Sequence, residues 1–145
     1  MADTEMRSPQ PNESTYRFAI ANTTVIENGD LVALSSGLII KATATSAKVA
    51  RAMEAHASGD GTSIECSLGR AKLKMDASDA FAAAHRGGEY DIAVDGDSGA
   101  QTINQSGTSY KVLMMSPDEN AGTVGSTSDV QVIINKPLDR PADAT

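Results

Sequence analysis

The sequence is poor in the residues that usually cross-link or anchor a small protein. It has one cysteine, no tryptophan, three tyrosines and two phenylalanines among 145 residues. A single cysteine excludes an intramolecular disulfide and a cysteine-based zinc site. Because aromatic residues are so few, we expect an aliphatic core. No apolar run approaches the roughly 18 residues of a membrane-spanning helix, and the first fifteen residues lack the apolar segment of a secretory signal. We therefore expect a soluble protein made in a cytoplasm, without a membrane partner.

Basic residues are also scarce, and they are dispersed. Twelve lysines and arginines stand against nineteen aspartates and glutamates, which gives a formal net charge of −7 and a pI near 4.7. The basic residues are scattered singly along the sequence, so no basic patch is visible. Because a negative surface repels phosphate groups, we expect no nucleic-acid partner.

The length and composition predict one domain of short strands. A chain of 145 residues can bury a core of its own, and its many small and turn-forming residues favour tight connections. Residues 1–14 and 137–145 are polar and contain prolines, which predicts a flexible N-terminal arm and a flexible C-terminal tail around a body at 15–136. We expect the body to be mainly β: a small β-barrel or β-sandwich, β-tulip-like, with one short α-helix.

Alternating apolar residues and glycine turns predict strands along the whole body. The predicted elements are a strand at 16–20, a hairpin at 31–40, a second hairpin at 64–75, and strands at 90–94, 102–104, 110–115 and 130–134. The segment 46–61 is ambiguous, because its composition favours a helix while Val49, Arg51 and Met53 could alternate in a strand. One helix is predicted at 76–88, with Asp76 as its cap and two glycines as its stop.

The segment AAHRGGEYDIAVDGDSG (83–99) contains two fragments typical of trypsin-like proteases, AAH ending at His85 and GDSG around Ser98. A catalytic triad needs a base that reaches the serine, an orienting carboxylate and donors for the oxyanion. In that family a whole β-barrel separates the histidine from the serine, whereas here Ser98 follows His85 by only thirteen positions. A helix end and a loop between strands explain the same letters, so we predict no hydrolase.

The other candidates for chemistry also favour structural roles. Asp95 and Asp97 do not continue into the ligand spacing of a calcium-binding loop or into the aspartate motif of haloacid-dehalogenase-type phosphatases. His56 and His85 have no neighbouring cysteine or paired histidine, and Cys66 lies on an alternating apolar face. We therefore predict no catalytic residue, no cofactor and no metal ion, and we expect that the chain is not an enzyme.

Two stretches resemble bacteriophage head decoration, or cement, proteins. Residues 27–75 begin with a GD turn and a strand, then a glycine turn and a strand that ends in small residues. A further strand, a GDG turn, an alternating strand and a basic-apolar strand follow in the same rhythm. Residues 87–104, GGEYDIAVDGDSGAQTIN, resemble the second half of such proteins. The resemblance also favours the strand interpretation of the ambiguous segment.

The resemblance implies a non-enzymatic role on the outer surface of a virion. Proteins of this family bind the assembled capsid, commonly as homotrimers at local three-fold positions, and stabilise it against the pressure of packaged DNA. The implied partner is the major capsid protein, with which arm residues 1–14 could order on docking. The candidate interface residues are Tyr16, Arg17, Phe18 and Ile20; for the three apolar ones, ordinary core packing is the alternative.

A second hypothesis is a β-module that binds a receptor or a carbohydrate, as in a head fibre or an adhesin. The loops at 95–109 and 117–128 would form its binding surface. Exposed aromatic residues, which usually stack on sugars, are lacking there except near Tyr110. The acidic balance suits the outside of a particle rather than a DNA-facing interior.

Overall fold

The computed structural model describes residues 14–138, so residues 1–13 of the predicted arm and 139–145 of the predicted tail lie outside the described part. The described chain forms two five-stranded antiparallel sheets, and the prediction of a mainly β protein is confirmed. The first sheet contains β1 (Ser14–Ala19), β2 (Leu31–Ser35), β3 (Leu38–Lys41), β4 (Ala50–Ala52) and β5 (Ser63–Leu68). The second contains β6 (Lys72–Met75), β7 (Glu89–Val94), β8 (Gln101–Asn104), β9 (Leu113–Met115) and β10 (Val130–Ile134).

The two sheets are connected in the same way. Their strand orders are β1-β5-β4-β2-β3 and β6-β10-β9-β7-β8, so each strand of the second sheet takes the place of the strand five positions earlier. In each sheet the first and third strands, at the two ends of the order, approach through one isolated parallel bridge, Ile20 to Ile39 and Ala77 to Ile103. The chain therefore builds one five-stranded unit twice in succession.

The register agrees pair by pair between the two units. Equivalent cross-strand pairs are Phe18–Ile64 and Met75–Val130, Ala52–Cys66 and Met115–Val132, and Leu34–Ile39 and Ile92–Ile103. Equivalent glycines precede β2 and β7: Gly29 and Gly87 have φ angles of +93° and +75°, a conformation that favours glycine. Their amides donate to the carbonyl oxygens of Ala52 and Met115, each at 2.9 Å.

The buried side chains form two clusters that do not simply follow the two sheets. The first cluster lies within the first sheet and includes Phe18, Ile64 and Cys66. The second contains the interior of the second sheet together with residues of the first unit, among them Leu31 and Val49. Since β2 faces both clusters, its first three residues, Leu31 to Ala33, are all buried, which explains the apolar run with which the strand begins.

The side-chain amide of Gln101 also joins the two units. Its Oε1 accepts a hydrogen bond from the amide of Leu31 at 2.9 Å. Its Nε2 donates to the carbonyl oxygens of Leu31 and Ala42 at 2.8 and 3.1 Å. One residue at the start of β8 thus provides the acceptor for the Leu31 amide and a second hydrogen bond to the Leu31 carbonyl oxygen, which also accepts from the Ala42 amide at 2.9 Å.

The helix predicted at 76–88 is wrong. Within that segment only Ala83–His85 is helical, as a single 3₁₀ turn. The amides of the would-be helix bond to distant residues instead: Ala77, Ser78 and Phe81 donate to the carbonyl oxygens of Thr127, Ile103 and Ser126. An amide held in this way cannot donate to the residue four positions earlier, so tertiary bonding overrides the local helix preference.

The second predicted hairpin, at 64–75, is also wrong in its pairing. The two strands exist, but β5 pairs with β1 and β4 while β6 pairs with β10 in the other sheet. The chain changes sheet at Gly69, which has a φ of +89° and whose amide donates to the carbonyl oxygen of Leu138 at 3.2 Å. Alternation identified the buried faces of both strands, but it carries no information about their partners.

Other predicted elements are confirmed or moved slightly. The hairpin at 31–40 is formed by β2 and β3, and the ambiguous 46–61 segment contains the short strand β4 and no helix. The fold also reaches into the segment predicted as the C-terminal tail. Pro137 bridges Val49, and Leu138 is buried in the first cluster.

Candidate functional site

The residues predicted as an interface occupy the first strand of the first sheet, where they divide between core and surface. Phe18 and Ile20 are 4% and 2% exposed and belong to the first buried cluster. Tyr16 is 43% exposed, and its ring packs edge-on against that of Phe18, with 5.3 Å between the two ring centroids. The core alternative therefore describes Phe18 and Ile20, while Tyr16 and Arg17 remain available to a partner.

Arg17 is already engaged within the first sheet. Its guanidinium group donates twice to Glu54 Oε1, at 2.8 and 2.7 Å, and lies 3.9 Å from Glu65 Oε1. All three side chains are partly exposed, so the network contributes little stability, but it does neutralise the charge of Arg17.

The GDSG letters form the turn between β7 and β8. The Ser98 hydroxyl donates to Asp95 Oδ2 at 2.6 Å, and the Ser98 amide donates to the same oxygen at 2.9 Å. These bonds stabilise the carboxylate and lower the pKa of Asp95. Ser98 Oγ also accepts from the Ala100 amide. The side chain of Ser98 is therefore a turn cap, as the loop interpretation predicted.

His85 is engaged elsewhere. Its Nδ1 accepts a hydrogen bond from the amide of Ala82 at 3.0 Å, within the 3₁₀ turn. Its ring contacts those of Phe81 and Tyr90 edge-on, at centroid distances of 6.2 and 5.9 Å. The hydrogen bonds of the described residues do not connect His85 with Ser98.

Cys66 lies in the interior of the first sheet, fully buried. Burial raises the pKa of its thiol to about 12, because a thiolate would lose its hydration there. Between residues 14 and 138 no group of three or more His, Cys, Asp or Glu side chains is arranged to hold a metal ion.

His56 is the buried polar side chain with the most specific environment. It is 2% exposed, and its Nδ1 and Nε2 lie 2.7 and 2.9 Å from the carbonyl oxygens of Thr24 and Gly61. Two carbonyl acceptors need two N–H donors, which only the protonated imidazolium provides. These two hydrogen bonds raise the pKa of His56, and the nearby carboxylates of Asp60 and Glu54 raise it further. In its protonated form the ring donates to both carbonyl oxygens and so ties the loop at 21–26 to the turn at 57–61.

Within the described residues, basic side chains without an ion-pair partner are concentrated on the outward side of β6, β10 and β9. We call it the basic face. Its half-buried centre is formed by Ile133 and Met114, which face each other across β10 and β9. Lys72 stands opposite Ile133 on β6. Five exposed cations lie on or beside this surface: Arg70, Lys72, Lys74, Lys111 and Lys136.

Asn135 organises one end of the basic face. Its Oδ1 accepts from the Arg70 guanidinium at 3.2 Å, and its Nδ2 donates to the carbonyl oxygen of Lys111 at 2.8 Å. The same Nδ2 also donates to Glu89 Oε2 at 2.7 Å. Lys136 follows Asn135 directly. The amide thus holds the Arg70 guanidinium and the Lys111 backbone at one end of the face, beside Lys136, and fixes the carboxylate of Glu89, which points onto the face.

None of these five cations has an ion-pair partner among the described residues. The first sheet offers the comparison, because Lys74 occupies the position equivalent to Arg17. Arg17 faces Glu65 across the strand pair and binds Glu54, whereas Lys74 faces the neutral Gln131. The first unit neutralises its outward cation internally, and the second unit does not.

The sequence-based expectation of no basic patch is therefore corrected. With Arg7 and Arg140 aside, since they lie outside the described residues, half of the lysines and arginines surround the basic face. Lys72 and Lys74 were recognisable as exposed from alternation. Lys111 and Lys136 join them only through the pairing of β9 and β10 and through Asn135, which the sequence does not reveal.

Comparison with known proteins gives no relative: the chain matches no protein-family model, no curated protein and no solved structure. In the part of the chain that the structure describes, no helix has the length and apolar content needed to cross a membrane. The function must therefore be inferred from the chain's own residues and geometry.

Proposed function

We propose that the protein is a capsid decoration protein that binds the outer surface of an assembled bacteriophage head and stabilises it against internal DNA pressure. The observation that carries the proposal is the agreement between the turn rhythm typical of that family and the strands of this fold. Gly29 precedes β2, Gly37 separates β2 from β3, and Gly59 and Gly61 precede β5, all with positive φ. Each glycine turn on which the resemblance of residues 27–75 depends therefore lies before or between strands of this fold.

The position of β1 supports the same proposal. It lies at the end of the strand order of the first sheet and directly follows residues 1–13. Residues 1–13 could therefore add a strand to a neighbour's sheet, and β1 could receive a strand from that neighbour. Tyr16 and Arg17 are the exposed side chains there. As to form, we propose that each sheet is an incompletely closed β-barrel, drawn together by the bridges Ile20–Ile39 and Ala77–Ile103.

In this role the protein needs no catalytic group or cofactor. Its partner is the major capsid protein, it occupies three-fold positions as a homotrimer, and its site of action is the outside of the virion. A receptor- or sugar-binding module remains the second candidate, but Tyr110, the aromatic residue closest to its loops, packs against the second cluster.

The test is to mix the purified protein with expanded, DNA-free heads of the virus that encodes it, prepared without this protein. We expect cosedimentation, added density at the three-fold positions, and heads that resist heating better. Absence of binding even with the protein in large excess over the three-fold positions of the heads would refute the proposal. Binding to glycan arrays without binding to heads would favour the second candidate.

A further inference from the structure

We propose that the basic face of the second sheet is the surface that contacts the shell, and that the matching surface of the capsid protein is acidic. The inference rests on the proposed function and adds to it the contact surface and the chemistry of the partner. The contact would be distinct from strand addition at β1, which involves backbone groups of the first sheet.

The distribution of charge favours this surface. The protein has a net charge of −7, yet the five cations of the basic face have no carboxylate partner within residues 14–138. At the equivalent place in the first unit, Glu54 and Glu65 neutralise Arg17. Free cations gathered on one face of an acidic protein orient it toward a negative surface and accelerate the encounter.

The shape and polarity of the basic face are also those of a protein interface. Ile133 and Met114 form a half-buried apolar centre, and the cations stand around it. Protein interfaces are built in this way, with an apolar core that is desolvated and a polar rim that remains partly hydrated. The backbone of a sheet holds the positions of the cations, so docking would order only the lysine side chains.

The acidic side chains at this face favour a protein partner with carboxylates over a phosphate polymer. Glu89 points onto the face, where Asn135 holds its carboxylate, and Asp76 and Asp129 border it beyond Lys74. Nucleic acids carry a phosphate charge about every 1.7 Å along the duplex axis and would meet these carboxylates wherever they bound. A protein surface can place a few carboxylates opposite the lysines and avoid the three acidic side chains.

The experiment compares the wild type with Lys72→Glu/Lys74→Glu in the head-binding assay, at low and at high salt. Both lysines are exposed and outside the core, so the variant should fold, which its thermal unfolding curve verifies. We expect its affinity at low salt to fall at least about tenfold, and the salt dependence seen with the wild type to disappear. Lys41→Glu/Lys48→Glu makes the same change in net charge on the first unit but also removes the ion pair of Lys41 with Asp30, so its unfolding curve is measured as well; the folded variant should bind like the wild type.

Each other outcome overturns part of the proposal. If the wild type binds heads and the double variant binds equally well, the basic face is not the contact, while the proposed function stands. If the wild type does not bind heads, both fall together. Salt-sensitive self-association in sedimentation that the double variant abolishes would assign the face to a second copy of the chain. Specific retardation of a short DNA duplex would assign it to nucleic acid.

Discussion

At the scale of single residues, His56 gives the chain a pH-dependent contact. Hydrogen bonds to the Thr24 and Gly61 carbonyl oxygens raise the pKa of His56 above its ordinary 6.5. A group whose pKa is raised on folding makes its full contribution to stability at pH values below the pKa that it has in the unfolded chain. This contribution is lost as the pH rises through the pKa that the group has in the folded chain. We therefore expect the free energy of unfolding to decrease as the pH is raised from about 6.5.

The measurement is urea unfolding over a series of pH values for the wild type and His56→Gln, with His85→Gln as the control for loss of a histidine. His56→Gln should remove most of the alkaline loss of stability, because glutamine keeps one donor and does not titrate. Nitrogen NMR of the wild type below neutral pH should find both ring nitrogens of His56 protonated. A ring with one proton in that range would contradict the assignment.

Cys66 supplies a second prediction at this scale. Because the thiol is fully buried and its pKa is raised to about 12, little thiolate forms and reagents cannot reach it. We expect a thiol-specific reagent at mildly alkaline pH to modify Cys66 very slowly in the native protein and rapidly in urea. Rapid labelling under native conditions would show that the first sheet opens readily.

At the scale of elements, the glycine before β2 tests whether the turns are conformational requirements. Around Gly29 there is room for a Cβ atom, but its φ is +93°, so Gly29→Ala should cost about 1–2 kcal/mol from backbone strain alone. Gly96 also has open space but no positive φ. Gly96→Ala should therefore change the free energy of unfolding by less than about 0.5 kcal/mol.

Denaturant unfolding of the two variants checks this prediction directly. Equal effects of Gly29→Ala and Gly96→Ala would mean that the turn before β2 relaxes without strain. Gly87, the equivalent glycine before β7, should behave like Gly29, although its added Cβ would also touch Pro117 at 4.0 Å.

The elements also show what a sequence can and cannot predict. The hairpin of β2 and β3 was predictable because its turn, its pairing and its apolar pattern lie within eleven consecutive residues. The pairing of β5 and β6 was not, since their partners are distant in sequence. The helix at 76–88 failed for the same reason: the bonds that hold this segment come from Ile103, Ser126 and Thr127.

The candidate site follows the same division. Alternation showed that Lys72 and Lys74 point to solvent, and so predicted part of the basic face. The rest depends on strand register and on the hydrogen bonds of Asn135 to Arg70 and Lys111, which are contacts between distant segments. The exposed position of Tyr16, two residues before the buried Phe18 on the same face, likewise depends on where the sheet ends.

At the scale of the whole molecule, Gln101 couples the two units. Gln101→Ala would leave the buried amide of Leu31 without this acceptor, which costs about 1–3 kcal/mol, while the Leu31 carbonyl oxygen keeps its hydrogen bond from the Ala42 amide. Because Leu31 and Val49 also pack in the second cluster, we expect the units to unfold together in the wild type and in the variant. Methyl signals of Ile64 and Ile134, followed by NMR in urea, should disappear at one shared midpoint. Separate midpoints would mean that the units are independent.

The contact between Val49 and residues 136–138 has a consequence for the order in which the molecule is completed. Val49 donates to the carbonyl oxygen of Lys136 and accepts from the amide of Leu138, and Leu138 enters the cluster of the first sheet. Synthesis runs from the N-terminus, so all five strands of the first sheet emerge long before the segment that covers its core. The first unit made is therefore among the last to be finished, and a nascent chain must keep its open core from aggregating until the second unit has been translated.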